Sequence, residues 1–172
     1  KSPIGTIPVD WQVGMLGDFL IDKPEYGANA SAVSYSDQMP RYIRITDITT
    51  DGFLNNDDLK SIPLEGHEKY VLRDGDLLIA RTGNTVGKSY LYHETDGQAI
   101  YAGYLIRLKL DHERLLPKYL FHVTHSNYYY NWVKSTIRTG AQPNINAQEY
   151  SALLITVPPI HEQRKIISIL DV

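Results

Sequence analysis

The sequence of 172 residues contains no cysteine, so it has neither a disulfide framework nor a cysteine-ligated zinc site. This absence fits a reducing compartment, and we expect a cytoplasmic protein. No apolar run approaches the length of a membrane span, and the N-terminus lacks the apolar region of a signal peptide, so we expect no membrane partner. The length suits one domain with a full core, and because the chain begins with Lys1 we expect it to be a piece of a longer protein.

A basic charge balance is also absent. The net charge of −3 argues mildly against nucleic acid as a partner. The charge is nevertheless uneven, because residues 47–76 carry eight acids, whereas residues 114–148 carry none and include Arg114, Lys118, Lys134 and Arg138. Since an acidic domain can still present one basic face, the composition leaves a DNA-binding surface open.

Catalytic and cofactor signatures are missing as well. Val157-Pro-Pro-Ile160 does not match the Asn/Asp/Ser-Pro-Pro-aromatic signature of adenine methyltransferases, and no glycine-rich cofactor fingerprint is present. Thr82–Ser89 nearly matches the phosphate-binding loop G-x-x-x-x-G-K-S/T, but Thr82 replaces its first glycine and a strand-like run follows where that loop needs a helix. We predict a non-catalytic protein without a bound cofactor or metal; a nucleotide-binding protein remains the alternative.

The stretch Gly75–Lys88 is the best-defined local pattern. The apolar run Leu77–Ala80 predicts a buried strand, and a second strand-like run begins at Ser89. Between them Gly83 and Asn84 allow a turn, since both residue types adopt positive φ at low cost. A polar loop held between two strands is typical of a binding loop.

The remaining patterns predict an α/β (α+β) fold with one curved, mixed or mostly antiparallel sheet flanked by helices. Strand-like runs lie at 41–48, 76–81, 88–93, 99–108 and 153–157, the fourth with an interruption at Gly103. Pro117 begins the first of two helices that meet near Ser126-Asn127, and Asn146 with Glu149 predicts a capping box. His122 and His125 lie one turn apart and could hold a metal, but no carboxylate completes the set, so helix packing is the preferred interpretation.

The last helix predicts a surface for a partner. It begins after Pro158-Pro159, and Ile160, Gln163, Ile167 and Leu170 follow the spacing of a packing seam. We therefore divide the chain into a domain at 1–157 and the start of a longer packing or coiled-coil helix at 158–172. A protein-interaction module without DNA affinity is a further alternative.

Several stretches in order resemble one family, the DNA specificity subunits of type I restriction–modification systems, and in particular one of their target recognition domains. The matching stretches are Ile7-Pro-x-x-Trp11, Tyr26-Gly27, Tyr42–Ile48, Gly75–Gly83, Val86-Gly-Lys88, Thr139–Asn146 and Val157–Ile166. They span nearly the whole chain.

The resemblance implies a role in a larger complex. Each recognition domain of such a subunit reads one half of a split double-stranded DNA target, and long helices set the spacing and bind the methyltransferase subunits. Those subunits bind S-adenosylmethionine and methylate adenine, and a restriction subunit completes the complex. Only one unit is present here, so the chain would be a fragment or a half-subunit that self-associates through its C-terminal helix.

Candidate DNA-contacting residues are chosen on their chemistry, because arginine, asparagine and glutamine can bridge base edges, while lysine and hydroxyl groups mostly hold phosphates. The set comprises Tyr26, Gly27, Asn29, Ser31, Arg44, Thr46, Arg81, Thr82, Asn84, Lys88, Arg138, Thr139, Gln142 and Asn144. We expect the loops at 81–88 and 138–146 to share one end of the sheet. The structural alternative is that Arg81 and Lys88 pair with the acids of 47–76 and only hold the fold.

Overall fold

A computed structural model describes residues 5–137 and 142–171. Its ten strands are β1 (Gln12–Met15), β2 (Glu25–Tyr26), β3 (Val33–Ser34), β4 (Arg41–Ile43), β5 (Lys60–Ser61), β6 (Leu77–Ala80), β7 (Ser89–Leu91), β8 (Ala99–Tyr101), β9 (Leu105–Leu108) and β10 (Leu154–Val157). Its four α-helices are α1 (Pro117–Val123), α2 (Asn127–Thr136), α3 (Ala147–Ser151) and α4 (Ile160–Leu170). The predicted α/β class is confirmed, but within this described part the strands form three sheets where one curved sheet was expected.

The central sheet has the order β2-β9-β6-β7, with every pair antiparallel. Strand β6 is buried on both faces, which explains its unbroken apolar sequence. Leu77 and Ile79 face a core shared with the helices, whereas Leu78 and Ala80 face a second core against the neighbouring sheet. Successive side chains point to opposite cores because a strand has a two-residue period. Strand β6 therefore lies between the two cores.

The second sheet has the order β3-β5-β4-β8, and β4 pairs with β8 in parallel. The strand predicted at 41–48 was too long: β4 ends at Ile43 and a 3-10 turn follows at Ile45–Asp47. The carboxylate of Asp47 accepts hydrogen bonds from the backbone N–H of Arg44 at 2.8 Å and from the Arg44 guanidinium. This local bonding competes with strand pairing and turns the chain.

The predicted strand at 99–108 is two strands in different sheets. Strand β8 belongs to the second sheet and β9 to the central sheet, and the chain turns between them with a hydrogen bond from Leu105 N to Ala102 O at 2.9 Å. Gly103, the interruption noted in the sequence, lies at this crossing between sheets.

The helices cover the outer face of the central sheet. Pro117 occupies the first turn of α1, and the junction between α1 and α2 lies at the predicted position, where Ser126 caps α2. The predicted capping box at α3 is confirmed by the reciprocal hydrogen bonds of Asn146 and Glu149. Strands β1 and β10 form a third, two-stranded sheet, and α4 follows β10 and packs against α1.

Candidate nucleic-acid interface

The two polar loops singled out in the sequence lie side by side. Ile145 N donates to Arg81 O and Gly83 N donates to Pro143 O, both at 2.9 Å, and Thr82 pairs with Asn144 as an antiparallel bridge. The Thr82 hydroxyl also donates to Pro143 O at 3.3 Å. We call the paired segments 81–83 and 143–145 the ribbon. It places the loop after β6 beside the segment before α3, as the sequence predicted.

Arg81 is the most constrained polar side chain of the ribbon. Its guanidinium carbon lies 4.8 Å from the centroid of the Tyr26 ring and 5.9 Å from that of Tyr104. Its Nε donates to Gly103 O at 3.2 Å, and its Nη1 donates to Asn144 Oδ1 at 3.4 Å. These contacts hold the guanidinium plane against aromatic rings, which favour cations over their faces.

A cleft of about 650 Å³ opens beside the ribbon. Its walls come from three places: the segment after β2, the 3-10 turn after β4, and the crossing between β8 and β9. The predicted residues on its walls are Tyr26, Gly27, Asn29, Arg44, Thr46 and Arg81. Six of the candidates, distant in sequence, therefore meet in one concave site.

The two arginines of the cleft differ in their partners. Arg44 pairs with Asp47 at 2.7 Å and with Asp58 at 3.3 Å, and the hydrogen bond with Asp47 raises the pKa of Arg44 above its usual range. Within the described residues Arg81 forms no ion pair with a carboxylate. The positive charge of Arg81 is thus uncompensated at the cleft, whereas that of Arg44 is largely neutralised.

The acid pairing that the structural alternative assumed for Arg81 and Lys88 is not found in the part of the chain that is described. Neither side chain pairs with an acid of 47–76; both donate to neutral oxygen atoms, and Lys88 Nζ reaches Ile48 O at 3.4 Å. Lys88 is half-buried and does not line the cleft with Arg81.

The small size of Gly27 is required by the fold. The residue is buried, and a Cβ atom there would lie 2.3 Å from the carbonyl oxygens of both Tyr101 and Ala102. Its backbone packs closely against the β8–β9 crossing.

The other candidates divide into two groups. Asn29, Ser31, Thr46, Asn84, Gln142 and Asn144 are exposed and available to a ligand. Arg138 and Thr139 lie outside the described residues. Sequence reasoning missed Tyr104, which is 59% exposed and flanks Arg81; the signal was an aromatic residue directly after Gly103 inside an apolar run. Contact of any of these residues with DNA stays a prediction.

Gln163 was predicted to face a partner, and the structure places it inside. Its side chain is 0% exposed. Its Oε1 accepts from Leu116 N at 2.8 Å, and its Nε2 donates to Arg114 O at 2.9 Å and to Pro158 O at 2.8 Å. Gln163 therefore fastens α4 to its own domain, since each of these buried backbone groups needs a partner.

The other predicted partner-binding residues of α4 are more accessible. Ile160 and Ile167 are half-buried, and Ile167 packs against the main core. Leu170 is 53% exposed and its neighbour Ile169 is 71% exposed. The end of α4 thus presents apolar surface, although the helix packs against α1.

Other potential sites have local explanations. The 3-10 turn at Gly83–Thr85 leads into strand β7, so the near match to a phosphate-binding loop lacks the helix that such a loop requires. His122 Nε2 lies 3.0 Å from Asp171 Oδ1, and burial lowers the pKa of His122. His125 Nδ1 lies 2.7 Å from Phe121 O. Over 5–137 and 142–171 there is no group of three potential metal ligands, and no helix is long and apolar enough to span a membrane.

Fold and site together describe a mixed α/β domain whose cleft and ribbon carry arginine, asparagine and tyrosine side chains, which proteins use to contact nucleic acid. Residues 8–172 match the family model described as the type I restriction modification DNA specificity domain, and the chain belongs to this family.

Individual relatives agree with the family model. The chain is 28% identical over 179 residues to the "Putative type I restriction enzyme MjaX specificity subunit" of Methanocaldococcus jannaschii. It resembles the HsdS subunit of Thermoanaerobacter tengcongensis with a TM-score of 0.72 at 20% identity over 97% of the chain. It resembles the S subunit of M. genitalium with a TM-score of 0.65 at 13% identity over 99% of the chain.

These relatives are longer than the present chain. It spans 41% of the M. jannaschii protein, 43% of the T. tengcongensis chain and 41% of the M. genitalium chain. A chain from work on complex assembly and conformational transition of the type I R-M system matches with a TM-score of 0.72 at 20% identity, 43% of it being covered. At these identities the structures support the fold.

Proposed function

We propose that this chain is a target recognition domain that reads one half of a bipartite double-stranded DNA target and so directs adenine methylation and restriction by its partner subunits. The observation that carries the proposal is the ribbon with its cleft, where Arg81 lies beside Asn144 and has no carboxylate partner among residues 5–137 and 142–171. Such preorganised polar groups lose little conformational entropy on binding. Family membership supplies the DNA context.

The domain itself contributes binding and placement in this proposal. Exposed amide and hydroxyl groups of the cleft and beside the ribbon, among them Asn29, Thr46 and Gln142, would contact base edges and phosphates. S-adenosylmethionine and the chemistry of methylation would belong to methyltransferase subunits, and cleavage to the restriction subunit.

The C-terminal helix would connect recognition to the partners. Its first half is fixed to the domain by Gln163, while Ile169 and Leu170 remain exposed at its end. Exposed apolar side chains on a helix are typical of a partner surface. We propose that this end contacts the methyltransferase subunits or a second specificity chain.

The proposal is tested by exchanging the domain in an intact system. In a host that carries the natural chain and its partner subunits, residues up to Val157 are replaced by the corresponding domain of another specificity subunit. Methylated adenines are then mapped across the genome by sequencing. We expect one half of the methylated sequence to change, while the other half and the spacing between them are retained.

A hybrid in which only the residues after Pro158 are exchanged provides the matched control, and its methylated sequence should keep the half-site read by this domain. If the full exchange leaves the methylated sequence unchanged, this domain does not read the target. If methylation is lost in both hybrids alike, assembly has failed and in vitro binding of the parent complex to cognate and scrambled duplexes decides the question.

A further inference from the structure

We infer that Arg81 reads a guanine through the major groove, as the specificity-determining residue of this half-site. The inference rests on the proposed function, because it presupposes that the ribbon meets DNA. It goes further by assigning one base type, one groove and one residue. Three features carry it: the unused donors of Arg81, the support of its guanidinium plane, and the shape of the ribbon.

The unused donors form a fork. An arginine side chain has five N–H donors. In this structure Nε is bonded to Gly103 O and one Nη1 hydrogen to Asn144 Oδ1, so one donor remains on Nη1 and two on Nη2. Adjacent Nη1 and Nη2 donors match the paired O6 and N7 acceptors of guanine, the commonest specific contact between proteins and DNA.

The guanidinium plane is supported before any ligand arrives. The ring of Tyr26 lies under the group at 4.8 Å, and the hydroxyl of Tyr26 is itself fixed by the N–H of Ala147 at 3.1 Å. Planar bidentate recognition needs such a fixed orientation, and a lysine at this position would supply only a point charge.

The other arginine in the cleft is unsuited to this role. The Nη2 atom of Arg44 donates to Asp47 Oδ1 and to Asp58 O, both at 2.7 Å, and its Nη1 donates to Asp58 Oδ2 at 3.3 Å. A base would have to displace these bonds and leave the buried carboxylate of Asp47 without its guanidinium partner. The structure therefore separates a reader, Arg81, from a structural arginine, Arg44.

The choice of the major groove follows from the shape of the ribbon that carries Arg81. The ribbon consists of two hydrogen-bonded antiparallel segments. The major groove is roughly 12 Å wide and admits a two-stranded ribbon, whereas the minor groove is roughly 6 Å wide. A minor-groove contact would need an extended arm, but the Arg81 side chain is folded back onto Gly103 and Tyr26.

The test uses the natural full-length chain assembled with its methyltransferase subunits, and the target obtained from methylation mapping. Each guanine of the half-site is replaced in turn by 7-deazaguanine, which lacks the N7 acceptor, or by inosine, which lacks the minor-groove amino group. Binding is measured for the parent, Arg81→Ala, Arg81→Lys and the matched control Arg73→Ala. Arg73 is exposed and lies outside the cleft.

We expect one guanine at which 7-deazaguanine weakens the parent complex by about tenfold while inosine has little effect. Arg81→Ala should bind the natural and the substituted duplex equally, and Arg81→Lys should retain general affinity but lose the discrimination. Arg73→Ala should behave as the parent, and thermal unfolding should show that all variants are folded.

Other results would overturn the inference while leaving the proposed function intact. One such result is a half-site that contains no G·C pair, and another is binding that is weakened by inosine and not by 7-deazaguanine. A third is equal weakening of cognate and scrambled duplexes by Arg81→Ala, which would make Arg81 a phosphate contact. A parent complex that does not distinguish cognate from scrambled DNA would instead contradict the proposed function itself.

Discussion

At the scale of single residues, the role of a polar side chain depends on what already occupies its hydrogen-bonding groups. Arg107 is 4% exposed in its side chain and pairs with Glu25 inside the domain, so it holds the fold. Arg44 is tied to two aspartates, and Arg81 retains free donors at a cleft. Three arginines of the same chemistry thus have three different uses.

The hydrogen bonds of Gln163 allow a specific prediction about the stability of the fold. Replacing it by alanine would leave Leu116 N, Arg114 O and Pro158 O without their present partner. Because unsatisfied buried polar groups are costly, we expect Gln163→Ala to lower the free energy of unfolding by about 2–4 kcal/mol. Chemical denaturation monitored by circular dichroism measures the change.

The matched control is Gln148→Ala, since Gln148 is exposed on α3. Its effect on stability should stay within about 0.5 kcal/mol. Equal stability of the two variants, combined with lost partner binding in Gln163→Ala alone, would restore the original assignment of Gln163 to a partner surface.

At the scale of elements, the cleft depends on strand β2, which is only two residues long and carries Tyr26. Strand β2 pairs with β9, and Glu25 lies opposite Arg107 in this register. Burial raises the pKa of the Glu25 carboxyl, but the hydrogen bonds and charges of Arg107 and Lys109 outweigh this effect and place the pKa below its usual range. A side-chain ion pair therefore supplements the few backbone bonds of β2.

This ion pair makes a testable contribution to acid stability. A carboxyl group with a lowered pKa in the folded state stabilises the protein above its unfolded pKa, and this stabilisation is lost as the pH falls through the folded pKa. Between roughly pH 5 and pH 3, the parent should therefore lose more stability than Glu25→Gln. Because the Glu25 side chain is 42% exposed, we expect a difference of at most about 1 kcal/mol.

Denaturant titrations at several pH values provide the measurement, with Glu65→Gln as the matched change at an exposed position. Glu65→Gln should follow the parent curve more closely than Glu25→Gln does. A Glu25→Gln variant whose stability falls with acid as steeply as that of the parent would show that the ion pair adds nothing measurable.

At the scale of the whole molecule, the proposed binding and assembly surfaces occupy different layers. The cleft is built from the segment after β2, the turn after β4, the crossing between β8 and β9 and the end of β6, whereas α4 packs with α1 on the helical side of the central sheet. The net charge of −3 is compatible with DNA binding because the acids at 47–76 include groups already paired, such as Asp47 and Asp58. A local basic site can thus act within an acidic chain.

The salt dependence of DNA binding tests this arrangement. If Lys88 contacts a phosphate, Lys88→Ala should weaken binding to all duplexes alike and reduce the slope of log affinity against log salt by roughly one unit. Lys118→Ala is the matched control, since Lys118 pairs with Asp171 beside α4 at 3.4 Å. Binding of the assembled complex to cognate and scrambled duplexes over a salt series gives both slopes, and identical slopes for the two variants would place Lys88 away from DNA.

Features that depend on neighbours along the chain could be predicted from the sequence. The buried strand β6, the helix beginning at Pro117, the junction between α1 and α2 and the capping box of Asn146 and Glu149 were all anticipated. Each depends on a short apolar period, a fixed φ or a hydrogen bond between residues a few positions apart. The mixed α/β class followed from the same patterns.

Features that depend on distant residues were decided by the tertiary structure. Burial of Gln163 depends on carbonyl and N–H groups that lie far from it in sequence, and the division of 99–108 into β8 and β9 depends on two separate sheets. Hydrogen bonds to residues 22 and 63 positions away fix the orientation of the Arg81 side chain and leave its other N–H donors free. The sequence determined which residues could bind a base edge; long-range packing determined that Arg81, and not Arg44, keeps its donors available.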